Sequence, residues 1–253
     1  MKTPKLFKAI ETLHGDAPWG HVLDAGTGAH SLTWVQSLPT DRWTAVTAQR
    51  LFVEEARSAL PSTPRKQDRI VFGNWANGEL LVGETFDTII LDYLIGAVDA
   101  FAPYFQESLM SLLASRLTGS LYVIGLEPYV PLVEQDEVGQ FIGDLGRMRD
   151  ACQLLARDRP YREFPSTWVQ AQLLRAGLRV SGAKYFPIRY GRKFLENQLS
   201  ICANRVDTFA DPELARAMSN RIFAMREQGN ALIDQHGSLR YGKNYVLRAT
   251  RVP

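Results

Sequence analysis

Short runs that are apolar nearly throughout recur along the chain at His21–Ala25, Trp43–Thr47, Arg69–Phe72, Phe86–Leu91 and Ser120–Leu126, and Leu178–Phe186 and a last segment, Asn244–Thr250, also read as strands. Between them, apolar residues return at helical spacing over Lys5–His14, Ala29–Leu38, Phe52–Leu60, Phe101–Leu117, Val138–Ala156 and Thr167–Ala176. Gly15 with the Ala17-Pro18 turn, the Pro61–Pro64 breaker and Gly177 supply the stops. Strands without alternation have no solvated face, and alternation with helices predicts a mostly parallel sheet covered on both sides. From Pro187 to Lys243 the pattern changes: two helices are predicted, at about Lys193–Asn204 and Pro212–Gln235, in a segment far too long for a hairpin.

The first strand delivers Asp24-Ala25-Gly26-Thr27-Gly28 directly into a helix. Glycines at that turn let backbone approach a ligand, because no Cβ intervenes. A dinucleotide fingerprint would have a third glycine, but position 31 is Ser, and an acid would not stand at position 24.

Val22-Leu23-Asp24-Ala25-Gly26-Thr27-Gly28 resembles the first motif of class I S-adenosylmethionine (SAM)-dependent methyltransferases. The resemblance covers residues 20–186 in order, plus the terminal strand. It implies a Rossmann-like α/β fold with a seven-stranded, mostly parallel sheet in the order 3-2-1-4-5-7-6 and helices on both faces. One methyltransferase domain is expected over 1–253; where the family usually has a short hairpin after the sixth strand, 187–243 intervenes as a helical insertion and is the candidate substrate cap. The implied cofactor is SAM, with S-adenosylhomocysteine (SAH) as product. Asp24, Gly26, Thr27 and Gly28 would wrap its methionine part.

The family's acidic ribose acceptor at the end of the second strand is replaced here by Thr47, with Gln49 next; either can hydrogen-bond, but neither carries charge. Asn74 and Trp75, after the third strand, fall at the place for adenine recognition. Asp92 and Tyr93 end the fourth strand, where related enzymes set the acceptor against the cofactor, so both are candidate catalytic helpers. The prolines of amine-directed nucleic-acid and glutamine methyltransferases are missing there. The fifth strand ends in Glu127-Pro128-Tyr129 rather than the Asp-Asn pair of Mg²⁺-dependent relatives, so no metal site is expected.

In the insertion, Arg189, Tyr190 and Arg192, followed by Lys193, concentrate cations and an aromatic ring. Arginine forks bind carboxylates bidentately, so these residues, with Glu127 and Asn197, are candidates for a small, carboxylate-bearing acceptor. His30, beside the glycine loop, is the histidine placed to act as a base.

Charge changes the picture modestly. Residues 1–140 hold 10 Lys/Arg against 17 Asp/Glu, whereas residues 141–253 hold 19 against 10, within a net charge of +2. The basic residues are mostly scattered Arg, and aromatics do not cluster, which disfavours a nucleic-acid partner. No apolar run approaches membrane-spanning length, and the first residues lack the apolar core of a signal peptide. Two cysteines make no disulfide framework. A cytoplasmic protein with a small-molecule, anionic substrate is expected, and its oligomeric state stays open, a homodimer included. Two other readings compete: a non-catalytic binding or scaffolding subunit, favoured by Thr47, and an NAD-dependent oxidoreductase, disfavoured by Asp24 and Ser31.

Overall fold

A computed structural model describes residues 3–58, 65–130 and 136–252, without the side chains of Glu55 and Ser58. The Pro61–Pro64 breaker and the end of the helix expected to reach Leu60 lie outside the described residues. In chain order the elements are α1 (Lys5–His14), β1 (His21–Asp24), α2 (Ala29–Ser37), β2 (Arg42–Thr47), α3 (Arg50–Ser58), β3 (Arg69–Phe72), β4 (Phe86–Asp92) and α4 (Leu94–Phe101). There follow α5 (Gln106–Ser115), β5 (Leu117–Leu126), α6 (Glu137–Leu155), α7 (Ser166–Arg175), β6 (Leu178–Tyr190), α8 (Arg192–Val206), α9 (Pro212–His236) and β7 (Leu239–Arg251).

The strands form one sheet in the order β3-β2-β1-β4-β5-β7-β6. β1 pairs in parallel with β2 and β4, β2 with β3, and β4 with β5. β7 runs opposite to β5. Lys243, early in β7, accepts from the Glu127 N–H beyond the end of β5, and Arg251, at the end of β7, reaches the Leu117 carbonyl where β5 begins.

The chain divides into two compact units. The sheet unit comprises Met1–Leu126, Arg162–Tyr185 and Tyr245–Pro253. One core cluster there joins Leu23, Ile89, Leu91, Leu121 and Val123 of the strands to Leu109, Leu113, Val169 and Leu173 of α5 and α7. Near α1, Phe7 stacks on Trp34 at 4.5 Å, and His14 stacks on Trp19 while its Nδ1 meets the Tyr122 hydroxyl at 2.8 Å. His14 is therefore a satisfied core residue. Burial of both faces of the central strands β1, β2, β4 and β5 explains their unbroken apolar runs, whereas β6 alternates between partly buried and exposed residues.

The second unit, Glu127–Tyr161 with Phe186–Asn244, is built on α6, α8 and α9. The segment expected as an insertion folds together with α6. Asp136 caps α6 by accepting from Gly139 N at 2.7 Å, and Asp211 caps α9 from Glu213 N, with Pro212 at the first helical position. A Cβ at Gly229 of α9 would lie 2.6 Å from Phe141 of α6 and 2.7 Å from Leu195 of α8, so glycine is what lets the three helices meet there. Cys152 of α6 and Cys202 of α8 are buried, free cysteines.

One element departs from the pattern. The helix expected over Phe101–Leu117 begins only at Gln106, as α5, and an unexpected helix, α4, ends at Phe101, with Ala102–Phe105 separating the two. Pro103 removes a backbone donor and disfavours helical backbone in the residue before it, and Tyr104 turns left-handed at φ +66°. β6 and β7 also run longer than expected, 13 residues each. β6 lies at the sheet edge, where Pro187 leaves no ladder hydrogen bond unmade.

Candidate functional site

The carboxyl ends of β1, β2, β4 and β5 are locked by backbone hydrogen bonds into the loops that follow. Ala25 N donates to Ile90 O at 2.9 Å, Thr27 N to Val46 O at 2.8 Å, Gly73 N to Thr47 O at 3.0 Å, and Tyr93 N to Ile124 O at 3.1 Å. This end of a parallel sheet is where open α/β folds bind ligands.

Within the glycine loop the two glycines serve different ends. A Cβ on Gly26 would lie 2.6 Å from Leu94 Cδ1, so packing alone demands glycine there. Gly28 has open space around its Cβ position and an extended backbone (φ −124°, ψ 172°) that any residue adopts. Its bareness does nothing for the fold. The Ser31 hydroxyl closes the turn, accepting from Gly28 N at 2.9 Å and donating to Gly28 O at 3.2 Å.

Asp24 is wholly buried, and no hydrogen bond reaches either carboxylate oxygen. Burial raises it from the ordinary 3.8 to about 6; the Thr27 and Ser31 hydroxyls and the Gly26 N–H stand near enough only to offset part of that. Asp92, half-buried, is raised to about 7, first by burial and then by the negative charge of Asp24. Tyr93 holds a left-handed backbone at φ +51° and caps α4. Its phenol is pushed up by burial, then by Asp92 and Glu163. Strained backbone in a residue that is not glycine costs about 1–3 kcal/mol and gathers at functional sites.

Glu163 was not legible as a site residue. It comes from the stretch before α7, and its Oε2 lies 2.9 Å from where a Gly96 Cβ would be, while Arg162 N donates to Gly96 O. That stretch has no apolar period, so nothing in the sequence tied it to α4.

Thr47 is buried, and its Oγ1 accepts from Gln49 N at 3.2 Å, which leaves its own O–H to donate; the Gln49 side chain is exposed. Asn74 is half-buried: its amide donates to Phe101 O at 2.6 Å, and its oxygen accepts from Ala76 N at 2.9 Å with a second lone pair left over. Trp75 lies in the core, where its Nε1 donates to Ala25 O at 2.6 Å. Its ring packs inside the sheet unit and anchors the glycine loop through that bond. His30 is exposed on α2.

In the helical unit, Tyr190 is buried with its ring 4.0 Å from that of Phe194, and Glu127 is half-buried. Arg192 is held by Asn230 and Asp234 of α9, joining α8 to α9. Arg189 and Asn197 are exposed. A partly buried cation that the sequence did not mark is Arg149, whose guanidinium meets the Tyr129 hydroxyl at 3.2 Å, Gln198 at 3.1 Å and Asp150 at 2.8 Å.

No protein-family profile matches the chain, and no curated protein matches it by sequence. Solved structures do. The chain resembles a protein from Bacillus halodurans described as a candidate methyltransferase, at 12% identity and TM-score 0.60 over 97% of each chain. It is also similar to the mycolic acid cyclopropane synthase CmaA1 complexed with SAH and CTAB, at 15% identity and TM-score 0.55 over 96% of this chain and 83% of the other. A third match is a SAM-dependent methyltransferase from Geobacter sulfurreducens in complex with SAH, at 13% identity and TM-score 0.50 over 99% and 92%. The chain has the fold of class I SAM-dependent methyltransferases, with its strands in that fold's order. Among the described residues no helix is long and apolar enough to cross a membrane.

Proposed function

We propose that this protein is an enzyme, a SAM-dependent methyltransferase acting on a small molecule. The observation that carries the reading is Asp24: a fully buried carboxylate with two unpartnered oxygens, in a loop whose Gly28 has open space where a side chain would stand. Such a group is costly unless a ligand completes it. SAM is a cation, and the fold is shared with structures that hold SAH.

The residues fit that cofactor. Asp24 through Gly28 would hold its methionine part, the Thr47 hydroxyl and the Gln49 amide its ribose, and the remaining lone pair of Asn74 its adenine amine. When bound, the sulfonium supplies a methyl group already activated for displacement. The protein has then to align the acceptor and keep water out, for which the pinned strand ends provide a rigid frame.

Calorimetry tests the reading: SAM and SAH bind saturably to the wild type, and Asp24→Ala abolishes both. Failure of both ligands to bind would leave the scaffolding alternative, which Thr47 in the acidic place favours.

A further inference from the structure

We propose that Cys152 and Cys202 are a paired site of oxidation, closing reversibly to a disulfide that staples α6 to α8. The pair lies wholly within the helical unit, so it stands or falls apart from the methyltransferase reading.

These are the two cysteines of the chain, and both are completely buried. The helices that carry them run side by side in the same direction. A Cβ on Gly229 would touch Phe141, early in α6, and Leu195, early in α8. Further along, the Arg149 guanidinium donates to Gln198 at 3.1 Å. Just past the end of α6, Asp158 accepts from Arg205, in the last turn of α8, at 3.0 Å. Residue numbers on both helices rise together through these three contacts, as they do between parallel neighbours. Cys152 stands one turn after Arg149 and Cys202 one turn after Gln198, each on the face that makes the contact. The two thiols are thereby set at one level, facing each other. Donation from the Cys202 thiol holds Cys152 below the ordinary thiol range, and Cys202, which keeps its proton, is pushed up first by Cys152 and then by burial. Arg149 supplies positive charge to the pair.

A single buried cysteine is a small apolar filler and nothing more. Two that meet can do what neither does alone. Complete burial shuts out bulky disulfides and leaves a small neutral oxidant, hydrogen peroxide, admitted as the helices open locally. The Cys152 sulfur attacks one peroxide oxygen. The S–O bond forms as the O–O bond breaks, and the departing hydroxide takes up the thiol's proton as water. The Cys202 sulfur then attacks the sulfenic sulfur of Cys152. The S–S bond forms as the S–O bond breaks, and a second water leaves with the Cys202 proton. The two sulfurs together give up two electrons, and the peroxide is reduced to two waters. With the second thiol already in place, the sulfenic acid is intercepted before further oxidation, and a dithiol reverses the bond.

The test is exposure of the native, reduced protein to excess hydrogen peroxide, followed by quenching, unfolding, alkylation and intact mass. Expected is a chain two hydrogens lighter at its cysteines that takes up no alkyl group. Its peptide map shows a Cys152–Cys202 cross-link, and dithiothreitol restores both thiols. The thermal midpoint is expected to rise by on the order of 5 °C and to fall back on reduction. Cys202→Ser is expected to stop at a dimedone-reactive sulfenic acid on Cys152, without a cross-link. Should that variant fail to fold, the wild-type mass and map decide the matter alone. Oxygen added to either cysteine without the cross-link, a bond between two chains in its place, or two thiols still open to alkylation overturns the proposal. So does a cross-linked protein no more stable than the reduced one.

Discussion

The strand ends of the sheet unit and the helices of the second unit treat their charged groups in opposite ways. At the strand ends of the sheet unit, no hydrogen bond reaches the Asp24 carboxylate oxygens, and Asp92 is raised first by burial and then by the charge of another acid. In the helical unit, Arg149, Arg192, Arg205 and Arg226 each have a carboxylate: Asp150, Asp234, Asp158 and Glu196. A satisfied ion pair within a helix or between neighbouring segments explains itself as structure, and on the surface it contributes little. An unsatisfied buried acid has no structural explanation. The difference separates residues that hold the protein together from residues that wait for something to bind.

The comparison breaks most visibly at Asp24. Its folded-state pKa lies above the unfolded value, so the native state holds the proton more tightly, and stability is lost as pH rises from about 4 through about 6. Asp92 acts in the same direction up to about 7, and the two titrate as a coupled pair. Asp24→Asn should therefore make the ligand-free protein more stable at pH 7 by about 1–3 kcal/mol while SAH affinity falls at least about 100-fold. Thermal melts across pH 4–8 beside calorimetry check both; a variant less stable than the wild type at pH 7 would sink the claim.

The glycines sharpen it next. Gly28→Ala should leave the melting temperature within the effect of about 0.5 kcal/mol and weaken SAH about tenfold or more. Gly26→Ala, pressed into Leu94, should destabilise by about 1–3 kcal/mol. Equal effects at the two sites would show that Gly28 is bare for no ligand's sake. Trp75→Phe keeps the ring and loses the bond to Ala25 O, which should lower stability by about 1 kcal/mol and SAH affinity a few-fold. Arg192→Ala is expected to matter least, below about 1 kcal/mol in urea unfolding and with SAH binding unchanged, because its ion pair is exposed.

Much of this was legible in the sequence, for local reasons. Apolar runs without alternation placed the strands, the Asp24–Gly28 turn marked the ligand end, and Asp211-Pro212 with Gly237 bracket α9 as a cap, a first turn and a left-handed stop. What stayed hidden depends on neighbours distant in sequence. Glu163 is near Tyr93 only because Arg162 is tied to Gly96. Trp75 offered the same indole to a cofactor or to the core, and the Ala25 carbonyl decided. Arg192 looked available until α9 brought Asn230 and Asp234 to it. The Pro103 break was visible but outweighed by apolar residues on both sides.

The bond from Trp75 to Ala25 makes that tryptophan an optical witness. Indole emission responds to the polarity and hydrogen bonding at its N–H, and here that N–H is fastened to the carbonyl inside the glycine loop. A ligand that shifts the loop must change the light from Trp75, and the Trp75→Phe difference spectrum isolates it from the other four tryptophans. The protein carries its own titration dye.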